Sequence, residues 1–507
     1  MNIKEIIIKI FNRIEDIPFY WVGLFTSTSL FIASILSIDS IPNNNLTYFG
    51  GENGAIAIAL AQGRGFSDPF LTGSGATAWV SPLLPAILSI IFYAANYDLV
   101  TAYWISLFIK LLSIGFGVSL IWDVLQKSIK GFANICYIWM GVLCYFNREL
   151  LIYNFHDEWL VFLIISLAFW AWYKREEFIG RIVLIVSLAL SALTSPILWL
   201  ALLIVTLIFN RDNNSNFFNK DRAKKKLFDP NLFWIAVTVS ILIIIGWTFR
   251  NWIHLGILAP VKSNMGYEMY QAQTVSKNGV PTTSTFIEHP HNYASKKNKD
   301  YKEMGEAEFI KFHREMALRS IANNPGDYIQ RVKQRFSNAF LFTVLHFNFC
   351  DVDKRISNDD LNKLQDAGLV KLFFNRKVWV NLDDPDREGI SKLQSLDLAN
   401  HQLVEHNYKS TLINYYHYVY SSDRIIAGLL IGGMPWLAFF LAIFMRQYSK
   451  LNHYVIWACI FILIYLMPYV LISHYLRYQV PLLGMQAVLL TSGTAVIFRA
   501  IKERLNI

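Results

Sequence analysis

IVLIVSLALSALTSPILWLALLIVTLIF, residues 182–209, is the stretch on which the fold class turns. It is apolar and longer than the roughly 17–25 residues that cross a hydrocarbon core. Thr194-Ser195-Pro196 interrupts it. Proline lacks the N–H that would bond one turn back, and its ring crowds the preceding carbonyl. The stretch therefore reads as two short helices joined by a turn at that break.

Blocks of the same kind recur at 20–38, 80–97, 102–123, 131–147, 159–173, 233–247, 424–445, 454–473 and 479–498. Most are near the length a bilayer requires, and with the broken block counted twice the segments number about eleven. Composition agrees, because 54% of the 507 residues are hydrophobic and only 16% are charged. A soluble domain carries about 25% charged residues. The expected architecture is an all-α polytopic membrane protein. The first block reads as a retained anchor, since no small-residue cleavage site follows it.

A net charge of +9 would point to nucleic acid in a soluble chain. Here the basic residues sit at helix ends and in short connectors. Lys4, Lys9 and Arg13 precede the first block; Lys174, Arg175 and Arg181 fill one connector; Arg211, Lys220, Arg222, Lys224, Lys225 and Lys226 fill another; Arg499, Lys502 and Arg504 close the chain. The positive-inside rule assigns all four groups to the cytoplasm. The stretches 39–79 and about 250–420 are then outside. The chain divides into a membrane module over 1–250, an outer region over 251–420 and C-terminal membrane helices over 421–507.

One conflict of parity remains. The Lys127–Lys130 connector and the turn near Asn96 both read as cytoplasmic, so the block 102–123 would begin and end on one side. Gly115 and Gly117 allow a broken hairpin there; otherwise one connector departs from the charge rule. In the outer region, 306–321 reads as a helix with Phe309, Phe312, Met316, Leu318 and Ile321 toward one side, stopped by Pro325. Residues 336–349 are apolar but too short to span, and fit an interfacial or re-entrant position. Cys136, Cys144 and Cys459 lie in apolar blocks and only Cys350 in the polar region, which implies no disulfide framework or metal cluster.

Chemistry concentrates in five places. The first outer loop contains TYFGGENGAIAIALAQGRGFSDPF followed by LTGSGATAWVSPLLP. Glu52 opens a short helix over 53–62 that Gly63 and Gly65 terminate. A carboxylate there is favourable as a helix cap and equally suited to act as a base or metal ligand. His156-Asp157-Glu158 opens the block 159–173, where a carboxylate pair is costly unless paired or functional; Arg148 and Glu149 are candidate partners. Arg250, in Gly246-Trp247-Thr248-Phe249-Arg250-Asn251-Trp252, fits either phosphate binding by its donor fork or snorkelling between interfacial tryptophans. His289-Pro290-His291-Asn292, with Glu288 before it, offers two imidazoles, although His-x-His on a loop is usually not a metal site. Ser473-His474-Tyr475-Leu476-Arg477-Tyr478-Gln479-Val480-Pro481 precedes the last block, and Arg477 there can hold a lipid phosphate or a membrane headgroup.

The first outer loop resembles that of the GT-C glycosyltransferases, in the branch of the protein O-mannosyltransferases and aminoarabinose transferases (glycosyltransferase family 39). Those proteins carry an acid in this loop, then a helix ending in a Gly-x-Gly-aromatic turn, then a Pro-rich approach to the next membrane helix. The matching elements are Glu52, Gly63-Arg64-Gly65-Phe66 and Pro82-Leu83-Leu84-Pro85. Family members often have Asp or an Asp-Glu pair where this chain has one Glu, and Asp39 and Asp68 stand nearby. The resemblance is strongest over 50–85, 246–252 and 473–481 and weak across 260–420.

The resemblance implies a bundle of about 10–12 membrane helices with a large non-cytoplasmic loop region. It further implies a multi-pass protein of the plasma (inner) membrane with its active site on the non-cytoplasmic side. It implies an inverting transfer of a hexose or pentose from a polyprenyl-phosphate donor to a hydroxyl or amine on lipid, polysaccharide or protein. Glu52 would deprotonate the acceptor, with Asp157 or Glu158 as the second acid. Arg250, Arg477 and Tyr478 would meet the donor phosphate. His289, His291 and His156 are candidates for contact with the acceptor or a divalent metal, and no cofactor is otherwise implied. Two other classes fit a polytopic chain. A transporter or flippase for a lipid-linked sugar predicts midplane polar residues, which are few here, and internal repeats, of which none is found. A non-catalytic relative that binds such a lipid is the other.

Overall fold

The computed structural model describes residues 18–37, 49–70, 72–128, 133–147, 151, 156–211, 230–276, 279–280, 289–291, 295–341, 370–373, 376–379, 433–444 and 453–504. The earlier segments contribute α1 (Phe19–Ser37), α2 (Glu52–Ala61), α3 (Leu83–Ala94), α4 (Leu99–Ser128), α5 (Ala133–Phe146), α6 (Glu158–Tyr173), α7 (Phe178–Thr194), α8 (Pro196–Arg211) and α9 (Pro230–Leu255). Then come α10 (Met265–Tyr270), continued by a wide π turn, α11 (Lys296–Asn323) and α12 (Pro325–Phe336). The chain closes with α13 (Met434–Phe444), α14 (His453–Leu471), a 3-10 turn over Leu476–Leu482 and α15 (Leu483–Arg504). A short antiparallel hairpin, β1 (Val370–Phe373) and β2 (Arg376–Trp379), pairs Val370 with Trp379.

Five helices are long and apolar enough to cross a membrane, over Phe19–Leu36, Leu99–Lys127, Phe233–Leu255, Tyr454–Leu471 and Arg477–Arg504, and shorter apolar helices pack among them. The chain is an all-α polytopic membrane protein. The opening stretch folds as its proline dictates: α7 ends at Thr194, Ser195 is extended, and Pro196 begins α8.

One reading left open by the sequence is decided and one expectation is corrected. The block 102–123 is no hairpin, because α4 runs unbroken for 30 residues, about 45 Å at 1.5 Å per residue. Its glycines serve close packing instead. A β-carbon on Gly115 would collide with Ser27 and the Gly23 carbonyl of α1, and one on Gly117 would stand 2.6 Å from the Phe162 ring of α6. Small residues let backbones approach where lipid supplies no hydrophobic drive. Ser27 bonds across that contact to the Leu111 carbonyl at 3.1 Å.

The block 80–97 is likewise not a span. Only 12 residues of it are helical, about 18 Å long. The two residues after its last turn, Asn96 and Tyr97, have φ of 49° and 63°. The Tyr97 hydroxyl then donates to the Ala61 carbonyl at the end of α2, at 2.9 Å. The turn at Asn96 thus stays with the first loop, and α4 alone separates it from Lys127.

The outer region also departs from its expected face. In α11, Tyr301, Glu306, Phe309, Ile310, His313 and Ala317 are buried, whereas Phe312, Met316 and Leu318 are exposed. The kink at Gly305, with φ 74°, precedes this stretch, and Glu306, Phe309, Ile310, His313 and Ala317 form one stripe at helical spacing, so the buried face includes Phe309 but not Phe312, Met316 or Leu318. Pro325 ends that helix as expected and also starts α12, whose first turn Asn324 caps by accepting from the Asp327 N–H at 3.2 Å. Phe70 and Trp79 of the first loop pack edge-on with Tyr301, beside Tyr267 and Phe309. Buried Glu306 ties the same two regions, accepting from Thr77 Oγ1 at 2.5 Å, the Ala78 N–H at 2.8 Å, Ser263 Oγ at 2.7 Å and the Tyr301 hydroxyl at 2.7 Å. Burial raises its carboxyl above the usual range, against the lowering effect of those donors.

Asp39, Arg148, Glu149, Glu288, Asn292 and Cys350, the basic groups before residue 18 and over 220–226, and most of 336–349 lie outside the described residues.

Candidate active site

A cavity of about 360 Å³ opens where one set of helix ends converges. The N-terminal turns of α2 and α6, the Thr194-Ser195 break between α7 and α8, the last turns of α14 and the 477–481 turn all line it. Three of these elements carry basic residues at their far ends: Lys174 and Arg175 after α6, Arg211 on α8, and Lys502 and Arg504 on α15, which follows the 477–481 turn.

Eight residues singled out in the sequence meet in this cavity: Glu52, His156, Asp157, Glu158, His289, His291, Arg477 and Tyr478. Glu52 is the first residue of α2 and follows Gly50 and Gly51, both at positive φ. Among the described residues its carboxylate has no hydrogen bond or ion pair, and the same holds for Asp157. Both are half-buried. Glu158 is buried, and its Oε1 lies 3.5 Å from Arg477 Nε. The Arg477 guanidinium stands over the Tyr475 ring at 5.2 Å and the Tyr478 ring at 5.6 Å, and 26% of its side chain remains open. Tyr478 stacks on Tyr469 with centroids 3.9 Å apart. A cation held by one carboxylate and two aromatic faces is fixed in place yet keeps donors for an anion.

The histidines form a second wall. His289 is buried against Phe70, Trp79 and Tyr267. Its Nδ1 accepts from the His291 N–H at 3.0 Å. Burial, then the neighbouring His291 and Arg477, hold His289 well below the usual imidazole range, so it is neutral. His156 is lowered for the same first cause, with Arg477 next. A neutral imidazole can both donate and accept a hydrogen bond. Among the described residues no group of three or more His, Cys, Asp or Glu side chains is disposed to hold a metal ion.

Arg250 stands apart from the cavity lining. Its Nη1 donates to the Thr77 carbonyl at 2.5 Å and its Nη2 to the Phe66 carbonyl at 2.7 Å, between the Phe66 and Trp247 rings. Its fork is engaged by the first loop, so Arg250 clamps that loop and is not brought into the cavity with the other residues expected to meet a phosphate. Asp68 is occupied too, paired with Arg64 and accepting from the Gly73 and Gly75 N–H groups; it is a turn-former, and among the described residues Glu52 is the first-loop acid that lines the cavity.

Sequence reasoning missed Lys262, Glu268, Tyr465 and Tyr469, which also line the cavity. Glu268 accepts from the Tyr475 hydroxyl at 2.9 Å and Ser473 Oγ at 3.3 Å. The tyrosines recur at 465, 469 and 478, and the four-residue spacing of the first two on α14 was the available signal.

Set beside protein-family models, curated proteins and solved structures, the chain has no match.

Proposed function

We propose that this protein is a membrane glycosyltransferase of the GT-C type, moving a sugar from a polyprenyl-phosphate donor to an acceptor hydroxyl or amine at the non-cytoplasmic face. The observation that carries the reading is the pairing, in one cavity, of an unpartnered Glu52 carboxylate with the partly open Arg477 guanidinium. The cavity lies at the helix ends opposite Lys174, Arg211 and Arg504, which the positive-inside rule assigns to the cytoplasm. A lipid tail can then stay in the bilayer while its headgroup reaches the cavity.

In this reading Glu52 takes the proton of the acceptor as its oxygen or nitrogen attacks the anomeric carbon. The bond to the phosphate oxygen breaks as the new glycosidic bond forms, and the electron pair leaves with the phosphate. Arg477 meets the charge growing there. Attack opposite the leaving phosphate inverts the anomeric centre. Asp157 sits where it can orient the acceptor, and the stacked Tyr469 and Tyr478 wall the cavity beside it.

Mass analysis of glycolipids and glycoproteins from cells with and without the protein tests this. The expected result is loss of one sugar-bearing species and accumulation of its polyprenyl-phosphate sugar. Unchanged glycans with an altered distribution of that lipid between leaflets would instead indicate a flippase.

A further inference from the structure

Lys262 is the cavity's second cation, and its surroundings differ from those of Arg477. Among the described residues it has no hydrogen bond, ion pair or ring contact. It is half-buried. A lysine facing a cavity normally finds a carboxylate or bulk water, and this one shares its cavity with four carboxylates without pairing with any. Its long stem is free while its backbone is not.

The turn that carries it is fastened on every side. Trp247 Nε1 donates to the Val261 carbonyl at 2.9 Å, Thr248 Oγ1 to the Pro260 carbonyl at 3.2 Å, and Asn251 Nδ2 to the Ala259 carbonyl at 2.8 Å. On the other flank the Ser263 N–H donates to the Ala78 carbonyl at 2.8 Å, and Ser263 Oγ to Glu306. The Trp247–Asn251 motif therefore serves a purpose its composition did not reveal. Its aromatic and polar side chains hold the 259–263 turn, and Arg250 locks that assembly to the first loop. One free, flexible cation on a rigid turn at a cavity is the arrangement expected of a lysine that waits for an anion.

We propose that Lys262 is the donor-phosphate contact that Arg250 is not, completing with Arg477 a two-cation seat for a single phosphate group. This rests on the proposed transfer from a polyprenyl phosphate. Glu158 already offsets much of the Arg477 charge, so Lys262 adds an unpaired charge that can move to the phosphate, and Arg477 the fixed geometry.

The test is binding of farnesyl phosphate, farnesol and inorganic phosphate to the full-length protein in detergent. Wild type is expected to prefer farnesyl phosphate to farnesol and to hold inorganic phosphate only weakly. Lys262→Gln should weaken farnesyl phosphate about tenfold, the weight of one charge-assisted hydrogen bond, without changing farnesol binding. Lys262→Arg should restore most of it. Farnesyl phosphate should also slow acetylation of Lys262 in the wild-type chain, a measurement that needs no variant. Equal affinity in a folded Lys262→Gln protein, or no protection from acetylation, overturns the role of Lys262 and leaves the transferase reading standing. Absence of any preference for the phosphate over the alcohol in wild type overturns both.

Discussion

The imidazole of His291 lies against Gly51, so close that a β-carbon on Gly51 would stand 2.7 Å from its Cε1. Gly51 is the residue before Glu52 and has φ 54° and ψ −100°, a region that side chains disfavour. The contact therefore joins the outer region to the turn that aims the first-loop acid. Gly51→Ala should cost about 1–3 kcal/mol through backbone strain and also push His291 away. Thermal unfolding in detergent measures the first effect, and a fall in transfer rate larger than for an equally destabilised variant elsewhere measures the second.

Arg250 should behave as a clamp. Arg250→Lys keeps the charge but cannot bridge the Thr77 and Phe66 carbonyls with one planar fork. Stability should fall by about 1–3 kcal/mol, the weight of hydrogen bonds to a charged group, readable as a lower melting temperature. A variant as stable as wild type would show the fork to be dispensable.

Acid should loosen the outer region through His313. Burial is the main cause holding its imidazole down at about 4, with Lys297 nearby lowering it further, and its bond to the Phe309 carbonyl and Asp300 opposing. Its Nδ1 donates to Phe309 at 2.7 Å while Lys297 donates to its Nε2 at 2.9 Å, which fixes the neutral tautomer. The unfolded chain takes up this proton near the ordinary value of about 6.5, and the folded one only near 4. Stability from this site is thus complete above about 6.5 and declines as pH falls toward 4. His313→Phe should flatten that part of a melting-temperature profile against pH.

The single crossing by α4 fixes relative sidedness. Cysteines placed at Asn96 and Gln62 should be labelled from the same side of sealed vesicles, and one at Lys127 from the other. Labelling of the Asn96 and Lys127 positions from one side would restore the hairpin. The native Cys136, Cys144 and Cys459 are buried, and replacing Cys350 by Ser removes the remaining native thiol, so the background should be low.

The parts legible in the sequence were those with a local cause. Proline at 196 broke one apolar run into two helices, and the glycines after Ala61 ended α2. The acids and Arg477 sat beside helix starts, where charge at a membrane border asks for a reason. What failed to show depended on partners distant in sequence. Gly115 looked like a hinge because its neighbour, Ser27, is on another helix. The block 80–97 looked like a span because composition cannot report that Tyr97 bonds to Ala61. Arg250 carried a phosphate-like motif whose acceptors, Phe66 and Thr77, are carbonyls with no sequence signature. Lys262 resembled any connector lysine, and only its fastened turn and lack of a partner set it apart.

The most direct measurement is transfer from a radiolabelled polyprenyl-phosphate sugar by the purified, reconstituted chain, comparing wild type with Glu52→Gln. Glutamine keeps the shape and cannot take a proton, and general-base catalysis contributes about 10²–10⁴-fold. The expected result is transfer by wild type and a loss of at least about a hundredfold in the variant, with farnesyl phosphate binding retained. Full activity in Glu52→Gln would contradict the assignment of the base, and no transfer by wild type from any such donor would contradict the enzyme itself.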